Sequence, residues 1–167
     1  MIKLLLIACS LFSMGTLCSQ DILGFWKTID DQTGRPESII AIYQYHNRYF
    51  GRIIATYDDS GKLEDTIYTP KNRAPGVIGH PFYSGMDILW DLKQEGSRFV
   101  DGEILDPEKG RVYGAEIWTQ NGKLIVRGKI LFFGRNQSWD PVSDADFPPN
   151  FQKPDLTKFT PSIPRIP

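Results

Sequence analysis

Cysteine is all but missing from this chain of 167 residues: there are two, Cys9 and Cys18, and both fall in the first nineteen positions. The remainder can form neither a disulfide nor a zinc–thiolate centre, and it has no cysteine nucleophile. Histidine is nearly as scarce, with His46 in a turn-like stretch and His80 in a loop before Pro81. Two imidazoles are too few for a zinc site without carboxylates, and a triad built on His80 would lack the Gly-x-Ser-x-Gly elbow. A basic excess is also lacking, since 19 Lys and Arg meet 20 Asp and Glu for a net charge of −1. That argues against a nucleic-acid partner, which needs a basic stripe to neutralise phosphates. No stretch carries the period of an amphipathic helix, and nothing in the sequence calls for a metal or cofactor.

The N-terminus reads as an export signal. Met1-Ile2-Lys3 is a short positive start, Leu4 to Phe12 an apolar run too brief to span a bilayer, and weakly polar residues lead to Cys18-Ser19. This is the layout of a secretory signal peptide over residues 1–19, with cleavage near Ser19/Gln20. The expectation is an exported protein, periplasmic or secreted. Cys18 raises the alternative of a lipid anchor and an outer-membrane lipoprotein. Leu17 stands where such a signal wants a small residue, which weighs against it.

The body of the chain is strand-like. Ser38 to Tyr45 sets Ile39, Ala41, Tyr43 and Tyr45 against Ile40 and Ile42, and Tyr49 to Tyr57 returns after a His46-Asn47 turn. Gly85 to Leu92 alternates Met86, Ile88, Trp90 and Leu92 with Asp87 and Asp91, and Arg98 to Ile104 comes back. Such period-two patterns belong to strands with one buried face. Arg111 to Thr119 and Lys123 to Ile130 flank Asn121-Gly122, a strong short-range hairpin signal. Gly134 to Pro141 places Arg135, Gln137 and Trp139 on one side. In Asp106-Pro-Glu-Lys-Gly110, Asp106 caps its own turn more simply than it begins a calcium loop. Asp58 to Ser84 is the least regular stretch, long enough for a lid or binding loop.

These features predict an all-β domain over residues 20–142, with about eight strands in a small antiparallel up-and-down barrel. A β-sandwich is the alternative. Seven of the twelve prolines lie from Pro141 onward, which predicts an extended, poorly paired tail over 143–167.

Several stretches together resemble a known family. They are Gly24-Phe-Trp26, Tyr49-Phe-Gly-Arg-Ile53, Gly102-Glu-Ile-Leu-Asp-Pro-Glu-Lys-Gly-Arg-Val-Tyr113, Leu124-Ile-Val-Arg-Gly128 and Phe132-Phe-Gly-Arg-Asn-Gln-Ser-Trp139. Over about residues 22 to 142 the chain resembles the secreted bacterial proteins grouped as domain of unknown function 2147. The resemblance implies export and a lipocalin-like barrel, and it implies no activity. Gly24-Phe-Trp26 is also similar to the opening of lipocalins, where a basic residue from a late strand packs on the indole. Arg127 and Arg135 are the candidates for that partner here.

Charged residues on predicted strands are the remaining candidates for chemistry. Asp101, Glu103 and Glu116 can be read as a hydrolase's paired carboxylates or as a solvent face. Arg52, Arg127 and Arg135 can pair internally or hold an acidic ligand group by bidentate contacts. The ligand-facing set expected is Trp26, Arg52, Tyr113, Glu116, Arg127, Arg135 and Trp139, with no catalytic residue assigned. The leading expectation is non-catalytic binding of a small apolar or amphipathic ligand. A cell-envelope interaction module, meeting an envelope protein through the 58–84 loop and the tail, is the alternative. A hydrolase using Glu103, Asp106 or Glu116 comes third.

Overall fold

Turn residues that tolerate a left-handed backbone set the hairpins. His46 and Asn47 take φ of 46° and 60°, and Asn121 and Gly122 take 52° and 75°, the mirror-type turn that suits the twist of paired strands. The computed structural model describes residues 21–130 and 133–167, so the expected signal peptide over 1–19, with Cys18, lies outside the described residues. Among the described residues nine strands run in order: β1 (Gly24–Ile29), β2 (Pro36–Tyr45), β3 (Arg48–Tyr57), β4 (Leu63–Thr66), β5 (Asp87–Glu95), β6 (Arg98–Asp106), β7 (Arg111–Gln120), β8 (Lys123–Ile130) and β9 (Phe133–Pro141).

All neighbours are antiparallel. β1 pairs with both β2 and β9, and β2 pairs with β3, so the meander returns on itself. Eight strands close into an up-and-down barrel, and β4 is an extra strand on the far end of β3. Closure removes the bare edges that an open sheet would expose. A sandwich is thereby ruled out.

The two ends of the barrel differ. At one end, Trp26, Ile42, Leu92, Phe99, Ile117 and Leu124 pack together with almost no exposure. The Trp26 Nε1 donates to the Ile22 carbonyl at 2.8 Å, tying the segment before β1 to this end. Tyr49 meets Phe99 edge-on at 4.6 Å between ring centres. Gly102 is required here, because a Cβ would fall 2.5 Å from Leu92 Cγ and 2.8 Å from the Trp90 carbonyl oxygen. This end is shut.

A second apolar cluster lies outside the barrel wall. Ile39, Ala41, Ile54 and Ala55 are fully buried there, each large side chain contributing about 1.5–3 kcal/mol of burial. Their cover is the C-terminal segment. Phe147 meets Phe25 edge-on at 5.8 Å and stacks on Phe151 at 4.8 Å, and Phe159 meets Tyr43 edge-on at 5.1 Å. Further on, the Asp87 backbone N–H donates to the Ser162 carbonyl at 3.0 Å, and the Ile78 N–H to the Arg165 carbonyl at 3.0 Å. The tail is extended as its prolines dictate, with short 3-10 turns at Asp144–Asp146 and Leu156–Lys158. It pairs with no strand among the described residues, as expected of an extended, poorly paired segment, yet it lies as a belt against the barrel. Apolar contacts and hydrogen bonds hold it without any strand pairing.

Candidate ligand-binding site

The other end of the barrel is open. The end of β1, the start of β2, the end of β3, the start of β5, the β6–β7 turn and the start of β9 surround a cavity of about 690 Å3. That volume lies in the range of small-molecule sites. Ile53, Ile88, Ile104, Val126 and Trp139 give it apolar walls, and Trp139, 1% exposed, is among its most deeply buried residues. Above them comes a belt of hydroxyls and amide. Thr28 Oγ1 and Ser38 Oγ lie 2.8 Å apart, and Thr56, Tyr113 and Gln137 complete the level.

Strand irregularities put these groups there. Ser38 pairs with Thr56 and Ile40 with Ile53, so one extra residue sits on β3 between them. The bulge leaves both Ile54 and Ala55 under the belt and turns Thr56 inward, against the strict alternation expected from the sequence. Thr56 Oγ1 is buried and has no hydrogen-bond partner among the described residues. On β5, a shift between the Gly51–Leu89 and Arg52–Asp87 pairs sends Asp87 outward while Ile88 lines the cavity.

Charge gathers at the mouth. Arg135 pairs with Asp31 at 2.6 Å, and Lys109 with Asp106 at 3.3 Å. Asp106 also caps its turn, accepting from the Glu108 and Lys109 N–H groups at 3.1 Å each, and Gly110 releases the turn at φ 63°. Glu37 and Glu108 line the cavity as well, and their carboxylates have no hydrogen bond or ion pair among the described residues. Desolvation, and then the like charges of Asp30, Glu108 and Asp31, push the Glu37 carboxyl up against a smaller pull from Arg135. The 67–86 segment forms a rim, contributing Asn72 and Tyr83. Asp65 Oδ2 accepts from the Lys71 and Asn72 N–H groups at 2.9 and 2.8 Å, and the Gly76 N–H reaches the Pro107 carbonyl at 3.1 Å.

Of the residues expected to face a ligand, Tyr113, Arg135 and Trp139 line the cavity. Trp26 is in the packed end instead. Arg52, Glu116 and Arg127 are on the outer wall, a correction to the expected ligand-facing set. Arg52 Nε donates to Asp87 Oδ1 at 2.8 Å, with Asp87 fully buried. The Tyr43 hydroxyl donates to Asp87 Oδ2 at 2.8 Å, and Arg52 reaches the Thr160 carbonyl at 2.5 Å. Burial first, and Asp87 second, push the Tyr43 hydroxyl up. Glu116 is flanked by Lys129 at 2.9 Å, Arg98 at 3.0 Å and Arg127 at 3.4 Å. A hydrogen bond from Lys129 holds its carboxyl below the usual range against the opposing cost of burial. Arg98 and Arg127 stack on Trp118 at 4.2 and 5.5 Å, so neither arginine of the outer wall reaches the Trp26 indole. Each charge found a nearer partner than the ligand or ring expected for it. Thr28, Glu37, Ser38 and Thr56 were missed because the sequence offers only ordinary polar residues near strand ends.

A barrel shut at one end and hollow at the other defines the lipocalin-like class. In agreement, a solved structure similar to this chain is protein HP1028 of Helicobacter pylori, described as belonging to the lipocalin family. The TM-score is 0.60 at 14% identity, covering 75% of this chain and 86% of that one. At that identity the likeness speaks for the fold alone. The family model "Uncharacterized protein conserved in bacteria (DUF2147)" matches residues 24–140, and the chain belongs to this family. No curated protein matches the chain.

Proposed function

We propose that this protein is an exported, non-catalytic carrier or sensor that takes one small apolar or amphipathic molecule into the open end of its barrel. The observation that carries the reading is the cavity of about 690 Å3 with apolar walls beneath a polar mouth. Transfer of apolar surface from water to those walls supplies the affinity, about 25 cal/mol per Å2 before the costs of association. The carboxylates a hydrolase would use have other partners: Glu103 accepts from Trp90 Nε1 at 2.5 Å, Glu116 holds three cations, and Asp106, at the mouth, caps its own turn and pairs with Lys109. The envelope-module alternative would need the tail free to meet a partner, whereas its aromatic side chains lie against the chain's own barrel.

The test is a titration with phenylnaphthylamine, a neutral dye that brightens in apolar surroundings. Saturable binding is expected, and it is weakened in Val126→Trp, whose indole takes up part of the cavity. Absence of saturable binding, or binding untouched by Val126→Trp, overturns the reading.

A further inference from the structure

The ion pairs at the mouth leave charge of one sign uncompensated. The two cations on the cavity lining, Arg135 and Lys109, are each taken by an aspartate, Asp31 at 2.6 Å and Asp106 at 3.3 Å. Two carboxylates on the same lining, Glu37 and Glu108, have no ion pair and no hydrogen bond among the described residues. The other arginines that could have held an acidic ligand are spent on the outer wall, Arg52 with Asp87 and Arg127 with Glu116. Below the mouth the walls are apolar, built by Ile53, Ile104, Val126 and Trp139. Carboxylates gathered at a low-dielectric opening focus a negative potential into it.

We propose that the molecule this cavity takes is an amphipathic cation. Its apolar body lies against Ile53, Ile104, Val126 and Trp139, and a protonated amine sits at the mouth. The ammonium would offset part of the uncompensated charge of Glu37 and Glu108. A carboxylate-headed amphiphile of the same length meets the opposite situation. It must displace Asp31 from Arg135 or Asp106 from Lys109, and it lies beside two like charges, the kind of repulsion that excludes a wrong ligand. This inference rests on the binding reading above and narrows it to one class of head group.

The experiment is competition against phenylnaphthylamine by decylamine, decanol and decanoate, all below their aggregation limits, at low ionic strength. Decylamine is expected to bind about tenfold more tightly than decanoate, with decanol between them, a preference of the size exposed ion pairs provide. The preference should shrink as salt rises. In Glu37→Gln/Glu108→Gln the decylamine advantage should collapse while decanol affinity stays. Both side chains are free of hydrogen bonds among the described residues, so the variant should fold. Glu116→Gln, on the outer wall, should leave the order of the three ligands unchanged. Equal or tighter binding of decanoate overturns the cation assignment and leaves the cavity reading standing. Failure of all three to displace the dye overturns the cavity reading itself.

Discussion

Arg52→Ala should be among the most damaging single changes outside the barrel interior. The wild-type guanidinium makes a 2.8 Å ion pair with Asp87 and a 2.5 Å hydrogen bond to the Thr160 carbonyl, and it lies 4.6 Å from the Phe159 ring centre. Removing it leaves the Asp87 carboxylate, 0% exposed, with only the Tyr43 hydroxyl and the Ser162 N–H. An ion pair buried in this way costs roughly 3–5 kcal/mol when one partner is deleted, because the other charge stays behind unpaired. For a chain of this size that corresponds to a fall in Tm of about 6–20 °C. Arg135→Ala breaks an ion pair whose side chains are 67% and 38% exposed, so it should cost no more than about 1 kcal/mol. Urea unfolding of both variants supplies the comparison, and limited proteolysis reports whether residues 143–167 come loose first in Arg52→Ala. A double variant, Arg52→Met/Asp87→Leu, should recover much of the loss, since no charge then remains buried. Equal stability of Arg52→Ala and Arg135→Ala would refute the reasoning.

Gly102→Ala should destabilise by about 1–3 kcal/mol through overpacking, since its Cβ would meet Leu92 Cγ at 2.5 Å; an unchanged urea midpoint would contradict this. Glu116→Gln should cost about 1 kcal/mol at neutral pH, the partners being partly exposed. Because the folded state holds the Glu116 carboxyl below its ordinary value, its contribution is present above that ordinary value and lost as pH falls through the folded one; carboxyl NMR titration reads the shift directly. Tyr57 titrates the other way. Burial, with Asp146 nearby, pushes its hydroxyl up to about 12, so its contribution is whole below the ordinary tyrosine value of about 10 and lost as pH climbs toward the folded value. Tyr57→Phe should flatten the alkaline limb of the stability profile.

The barrel could be read from residue order because hairpin turns and two-residue alternation are local. Asn121-Gly122 marks its turn by residue type alone, and the run from Arg135 to Trp139 does put every second side chain inside. Where the backbone leaves strict alternation, the reading slips. Asp91 at φ 59° and Asp101 at φ 56° break the β5–β6 pairing, so Trp90 stands with Glu103 on the outer face while Leu92 packs inside against Gly102. Strict alternation would put Trp90 and Leu92 on one face. The belt was hidden for a different reason. Prolines announce an extended segment, but what Phe147, Phe151 and Phe159 lie against depends on an apolar patch formed by strands about a hundred residues earlier. The arginines show the same limit: which carboxylate each one reaches is a matter of tertiary distance. Residue type did not reveal that Arg52, Glu116 and Arg127, three of the seven expected ligand-facing positions, lie on the outer wall.

Everything functional here depends on the open end of the barrel holding a small molecule. Native mass spectrometry of the protein purified from its own host, wild type beside Val126→Trp, tests this most directly. The account predicts an added small-molecule mass on the wild type that dissociates on gentle activation and is reduced on Val126→Trp, whose cavity is narrowed. A wild type that flies at the bare polypeptide mass, and stays bare after incubation with decylamine, would contradict it.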